Sequence, residues 1–209
     1  ISDRIRFERM EKEARAQRLD AELKFLRSQV SPHFLFNMLT NMVSLARKKS
    51  DLLEPSLIKL SDLLRYMLYD SGDEKIPVSK EIEQLENYIA LQQLRFGEDV
   101  KMELVVNNES QECLIEPMLL IPFIENAYKH SIGMVREPYI NIRIVADENQ
   151  LNFFVTNNYN PANLSKDKNS GIGLVNVKNR LKLLYPGKYD LSLSDEGAVF
   201  SVHLKLNLS

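Results

Sequence analysis

The chain has 209 residues, 44% hydrophobic and 27% charged, with a formal net charge of −2 at pH 7. That length and composition suit one or two globular domains with their own cores and exclude a disordered chain. Charges of both signs are interspersed, which argues against a direct nucleic-acid footprint or an anionic-membrane contact. No apolar run approaches the roughly 18 to 20 residues that span a bilayer, and the single cysteine, Cys113, excludes an internal disulfide and fits a reducing cytoplasm. The chain opens at Ile1 in charged helical sequence, which reads as a piece of something longer, with any sensor or membrane portion before it.

From Arg4 to about Val30 there is no Gly or Pro, and good helix formers dominate. Leu19, Leu23, Leu26 and Val30 have the spacing of a coiled-coil seam; one amphipathic helix packed on its own domain would show the same period, and the missing upstream region favours the seam. Ser31-Pro32 supplies a cap residue and a first-turn proline, so a helix restarts there and runs to the basic Arg47-Lys48-Lys49. Leu57 to Tyr69 predicts a second helix, broken by Ser71-Gly72-Asp73. Ser79 has the look of a cap before a third, Glu81 to Phe96, with Ile82, Leu85, Ile89 and Leu94 turned to a core and Gly97 as its stop. The first half thus predicts an antiparallel helical hairpin, doubled into a four-helix bundle in a homodimer.

After Gly97 the texture changes. Strands are expected over Lys101–Val106, Tyr139–Ala146, Leu151–Thr156, Leu191–Leu193 and Val199–Leu206, with helices over Leu119–His130 and Leu174–Tyr185. This pattern predicts an α+β sandwich, its helices on one face of a mainly antiparallel sheet. The expected division is a leading helix over 1–30, a helical unit over 31–98 and an α+β domain over 99–209. His203 falls on an expected edge strand and takes no role.

Three clusters carry chemistry. Ser31-Pro-His-Phe-Leu-Phe-Asn37 puts a histidine at a helix start, Glu125-Asn-Ala-Tyr-Lys-His130 ends an apolar helix, and Gly171-Ile-Gly-Leu174 opens the last one. Phosphoryl transfer asks a protein to position a triphosphate, neutralise it and present an acceptor. The amide oxygen of Asn126 suits an octahedral Mg²⁺ that shares its shell with phosphates and water, and Lys129 and His130 would flank the phosphate tail. Gly171 and Gly173 leave backbone amides and a positive helix end facing a phosphate. His33 has a nitrogen able to attack phosphorus near neutral pH, and Asn37 lies one turn further along its face. Taken singly, such residues are more often caps, core groups or solvated surface. Tyr159 to Ser170, polar and without apolar period, is expected to be a lid or a plain loop.

Together these motifs resemble the LytS/YehU-type sensor histidine kinases of bacterial two-component systems, from about Leu19 to the C-terminus. Pro32-His-Phe-Leu-Phe-Asn37 is similar to that family's acceptor signature, Glu125-Asn-Ala-x-Lys-His130 to its N box, and Gly171-Ile-Gly-Leu-Val-Asn176 with Arg180-Leu181 to its glycine box. The resemblance implies a Bergerat/GHKL ATP-binding fold, ATP and Mg²⁺, and His33 as phosphoacceptor. Glu125 becomes a candidate base, because Phe34 stands where many histidine kinases carry an acidic residue. It further implies a homodimer, a response-regulator partner with the LytTR type as candidate, and a cytoplasmic fragment of an inner-membrane-anchored sensor. One box departs: where the family places Asp-x-Gly-x-Gly, this chain has Asn157-Asn-Tyr-Asn-Pro161. An amide oxygen on Asn157 accepts from the adenine amino group more weakly than a carboxylate, so a pseudokinase relay with impaired ATP binding is the alternative, and an ATPase or serine-directed kinase the enzyme rival. Pro122 occupies the place of the hydrolytic carboxylate of related ATPases, which disfavours attack by water.

Overall fold

A computed structural model of the chain describes residues 32–67, 74–110, 112–133, 135–161 and 172–209. The Leu19–Val30 seam, the Ser31 cap, the Ser71-Gly72-Asp73 break, Gly171 and the loop over 162–170 lie outside the described residues, as does the side chain of His33.

Helix α1 (Pro32–Arg47) begins on the expected proline and buries Phe34, Met38 and Met42, four residues apart, along one stripe. Helix α2 (Leu53–Arg65) starts four residues ahead of the expected Leu57 and buries Leu60 and Leu63. A short strand β1 (Ile76–Pro77) leads into α3 (Val78–Phe96). Here Ser79 does not cap: α3 starts at Val78, Pro77 holds the cap position without a side-chain bond, and its fixed φ sets the first turn. Ile82, Leu85 and Ile89 are buried as expected, and Gly97 ends the helix at a φ of 54°. A 3₁₀ turn over Gly97–Asp99 follows. Helix α3 packs on both α1 and α2, so the described part of the first half is a three-helix layer.

Five strands then form one mixed sheet: β2 (Lys101–Asn108), β4 (Tyr139–Ala146), β5 (Gln150–Asn158), β6 (Tyr189–Glu196) and β7 (Val199–Asn207), in the order β2-β4-β5-β7-β6. Only β2 and β4 run parallel, joined by a crossover that contains β3 (Leu114–Ile115) and helix α4 (Ile121–Ser131). The other pairings are antiparallel. Helix α5 (Ile172–Leu184) links β5 to β6 and packs on α4. Strict alternation buries Ile140, Ile142 and Ile144 of β4 and Leu151, Phe153 and Val155 of β5 on one face. His203 corrects its expectation: β7 lies between β5 and β6, not at an edge, and the His203 ring stacks on Phe154 of the neighbouring strand at 4.1 Å.

The apolar core is continuous from Phe34 and Leu63 through Leu85 and Ile124 to Phe153 and Leu204. A two-residue ladder, Ile76 opposite Ile115 and Pro77 opposite Leu114, ties the start of α3 to the approach to α4. Helical layer and sheet therefore meet at α4, the helix that carries most of the candidate site.

Candidate active site

A helix start leaves backbone amides without partners, and the start of α4 is buried, so those amides need an acceptor inside the protein. The carboxylate of Glu81, from α3, meets them: Leu119 N and Leu120 N donate to Oε1 at 2.9 and 3.0 Å, and Met118 N to Oε2 at 3.0 Å. The Tyr66 hydroxyl donates to Glu81 and accepts from Met118 N at 2.8 Å. Arg180 of α5 takes the carbonyls of the same segment, Met118 O and Pro117 O, each at 2.6 Å. Glu81 is fully buried; burial raises its carboxyl pKa, while Tyr66 and the three amides pull it down. Met118, at a φ of 59°, is held in the left-handed region by this double clamp. Neither Glu81 nor Tyr66 stood out in the sequence, where a glutamate inside a helix is unremarkable. Arg180 stood out only as part of the glycine box.

Along α4 two stripes separate. Phe123, Ile124, Ala127, Tyr128 and Ser131 are buried, whereas Glu125, Asn126 and His130 are half-buried and Lys129 is exposed. The three- and four-residue spacing of Glu125, Asn126, Lys129 and His130 puts them on one ridge. At its last residue α4 is stapled to β5. Ser131 Oγ donates to Asn158 O at 2.7 Å and accepts from Asn157 Nδ2 at 2.9 Å. Asn157, 1% exposed, continues the buried face of Leu151, Phe153 and Val155; its Nδ2 also reaches Asn158 O at 3.1 Å. Asn157 Oδ1 is buried and accepts no hydrogen bond among the described residues. The next residue turns the other way: Asn158 Oδ1 accepts from Tyr139 N at 2.9 Å and its Nδ2 donates to Glu137 O at 2.8 Å. The paired amides thus do two jobs, one closing the loop before β4 and one leaving an acceptor open.

Gly173 sits in the first turn of α5, where a Cβ would meet nothing within 4 Å among the described residues, so packing does not demand glycine there. Leu174, half-buried, packs against the core. Tyr159 departs from the expected lid. It is buried, its amide donates to Ala198 O at 3.0 Å and its hydroxyl to Asp195, which anchors the end of β5 to the β6–β7 hairpin.

On the acceptor side, His33 falls in the first turn of α1 and Asn37, half-buried, one turn on. The ring of Phe34, next to His33, stacks on Tyr88 of α3 at 4.8 Å. Tyr88 accepts from Gln92 Nε2 at 2.8 Å, and burial followed by the Glu125 carboxylate pushes its hydroxyl pKa up. The opposite face of α1 is open: Phe36, Leu39 and Val43 are 70, 54 and 51% exposed.

The donors present fit a purine nucleotide and a hard cation. Asn157 Oδ1 is a buried acceptor in want of a donor, which an exocyclic amino group supplies. Among the described residues no cluster of three or more His, Cys, Asp or Glu could hold a metal; Asn126, half-buried on the ridge, offers one amide oxygen that could serve as a hard ligand.

Residues 21–100 match the family model described as histidine kinase. Over 175 residues the chain is 33% identical to the sensor histidine kinase YpdA of Escherichia coli (strain K12), covering 79% of this chain and 31% of that protein. Over 200 residues it is 30% identical to the sensor protein LytS of Staphylococcus haemolyticus, covering 88% and 34%. The chain therefore spans about a third of the length of these curated relatives. Among solved structures, the histidine kinase domain of the Erythrobacter litoralis EL346 blue-light activated histidine kinase is similar with a TM-score of 0.49 at 19% identity, over 93% of this chain and 94% of that one. The chain belongs with the histidine kinases. Within them it is similar to the LytS-type sensors of two-component systems.

Proposed function

We propose that this chain is the catalytic core of a sensor histidine kinase that autophosphorylates His33 from ATP and passes the phosphoryl group to an aspartate of a response regulator. The observation that carries this reading is the buried Asn157 Oδ1, which has no partner among the described residues, beside the end of the helix α4 that bears Asn126, Lys129 and His130. In it, Asn157 accepts from the adenine amino group, and Lys129, His130 and the α5 start with Gly173 hold the phosphates. Asn126 holds Mg²⁺, which when bound neutralises phosphate charge. The His33 imidazole is the nucleophile and Glu125 receives its proton, with Asn37 orienting the ring; the Phe34–Tyr88 stack supports the acceptor assignment by fixing the turn that carries His33 against α3.

The exposed apolar stripe Phe36-Leu39-Val43, with Leu57 and Ile58 also exposed on α2, supports a homodimer closed through a four-helix bundle. Among the described residues no helix is long and apolar enough to cross a membrane.

The test is incubation with γ-labelled ATP and Mg²⁺ followed by acid and alkali treatment. Acid-labile, alkali-stable label is expected, and His33→Gln is expected to abolish it while leaving nucleotide affinity within about twofold, since the acceptor lies in the helical layer. Acid-stable label would indicate a hydroxyl-directed kinase, phosphate release without label an ATPase, and no nucleotide binding a pseudokinase.

A further inference from the structure

Which base the site selects depends on which end of the Asn157 amide faces it. An amide presents an acceptor at one end and donors at the other, so Asn157 could in principle favour either a 6-amino purine or a 6-oxo purine. The choice is made by groups behind it. Ser131 Oγ has one proton, committed to Asn158 O at 2.7 Å, and so meets Asn157 only as an acceptor, at 2.9 Å. The Asn158 carbonyl, 3.1 Å from Nδ2, can only accept. A flipped amide would set Oδ1 against two acceptors. Turning the Ser131 proton towards it would strip the Asn158 carbonyl of its donor. Ser131 and Asn157 are both essentially inaccessible to solvent, so water does not soften the choice.

We propose that Ser131 is a specificity-determining residue: its hydroxyl locks the Asn157 amide with Nδ2 towards Ser131 Oγ and Asn158 O and Oδ1 turned away from them, and thereby selects adenine over 6-oxo purines. It is a positioning residue and touches no nucleotide. The inference rests on the reading of Asn157 as the base acceptor. On this proposal a site without the family's aspartate prefers adenine because an amide fixed in one orientation offers only its acceptor, as a carboxylate does, though more weakly.

The experiment compares equilibrium binding of ATP, ITP and the triphosphate of unsubstituted purine riboside, with Mg²⁺, to the wild-type chain, Ser131→Ala and Ser131→Thr. ITP differs from ATP at the 6-position by an oxygen for the amino group, and the unsubstituted purine carries neither. Wild type is expected to bind ATP tightest. In Ser131→Ala, which removes one buried oxygen, the ATP-to-ITP affinity ratio is expected to fall by about fivefold or more, the weight of one neutral hydrogen bond. The unsubstituted purine nucleotide should bind as before, and Ser131→Thr, which keeps the hydroxyl, should retain the ratio. An unchanged ratio in Ser131→Ala, or equal weakening of all three nucleotides, would overturn the lock. A wild type that binds ATP and ITP equally would instead overturn Asn157 as the base acceptor. The two failures are therefore distinct.

Discussion

The two ends of α4 differ sharply. At its start, the amides of Met118, Leu119 and Leu120 meet Glu81, Met118 also meets Tyr66, and Arg180 takes two carbonyls, so an entire turn of backbone is satisfied in a fully buried setting. At its end, a serine and two asparagines make a second buried network, but that one leaves Asn157 Oδ1 without a donor. The same helix is thus fixed at one end and left incomplete at the other. Buried polar groups are normally paired; Tyr128 Oη and Gln84 Oε1 share the state of Asn157 Oδ1 among the described residues, and it is the place of Asn157 beside the ridge of α4 that makes its oxygen the one proposed for a ligand. The closed end also joins α2, α3 and α5, which makes it the joint between helical layer and sheet.

The largest effect is expected from breaking the closed end. Glu81→Ala leaves the Leu119 and Leu120 amides and the Tyr66 hydroxyl buried without their acceptor, while Met118 N keeps Tyr66, and since each such loss costs about 1–3 kcal/mol, the chain should lose several kcal/mol in a urea titration. Glu81→Gln, which keeps one acceptor oxygen, should recover part of it. A loss below about 1 kcal/mol for Glu81→Ala would mean that the start of α4 repacks freely.

At the open end, substitutions should move binding and spare stability. Asn126→Ala is expected to weaken ATP binding in Mg²⁺ by about tenfold, to the metal-free level, and to remove autophosphorylation, because the amide is the metal ligand in this reading and Glu125, the other oxygen on the ridge, is committed to the acceptor histidine. Its unfolding midpoint should stay that of wild type. Wild-type phosphorylation across a magnesium titration would assign the metal to another residue.

The smallest and sharpest effect concerns Asn157→Asp. The family pattern alone suggests a gain, since a carboxylate accepts more strongly than an amide and should tighten ATP by some fivefold. The structure reverses that expectation. Aspartate has no donor for Ser131 Oγ and would set an oxygen about where Nδ2 now lies, 3.1 Å from Asn158 O. ATP affinity should not rise, and stability should fall by about 1–3 kcal/mol. Tighter ATP binding with an unchanged melting temperature would show that Ser131 simply turns its proton, and the two networks would then differ less than their geometry suggests.

Much of this layout was legible in the residues. Apolar spacing located α1, α2, α3, α4 and α5 to within a few residues, and alternation located all five strands of the large sheet, because both periods follow from backbone geometry. The motifs singled out Asn126, Lys129, His130 and Asn157, and the sequence already implied that an amide oxygen at Asn157 could serve as acceptor. What did not show was any partner distant in sequence. Glu81 lies 38 residues from Leu119 and Arg180 lies 62 from Met118, and no local pattern marks either. The edge placement of His203 failed for a related reason: strand order is not written in strand sequence.

By itself, then, the sequence determined the elements, the buried faces and the chemistry available on each ridge, since these depend on short-range periodicity and on residue type. Only the tertiary structure decided which polar groups are satisfied. Ser131 follows His130 as an ordinary small residue, and it becomes the keeper of the Asn157 amide only because β5 ends beside the last turn of α4. A hydrogen bond needs a donor and an acceptor brought within about 3 Å, and for residues 26 positions apart that is settled by how helix and sheet pack.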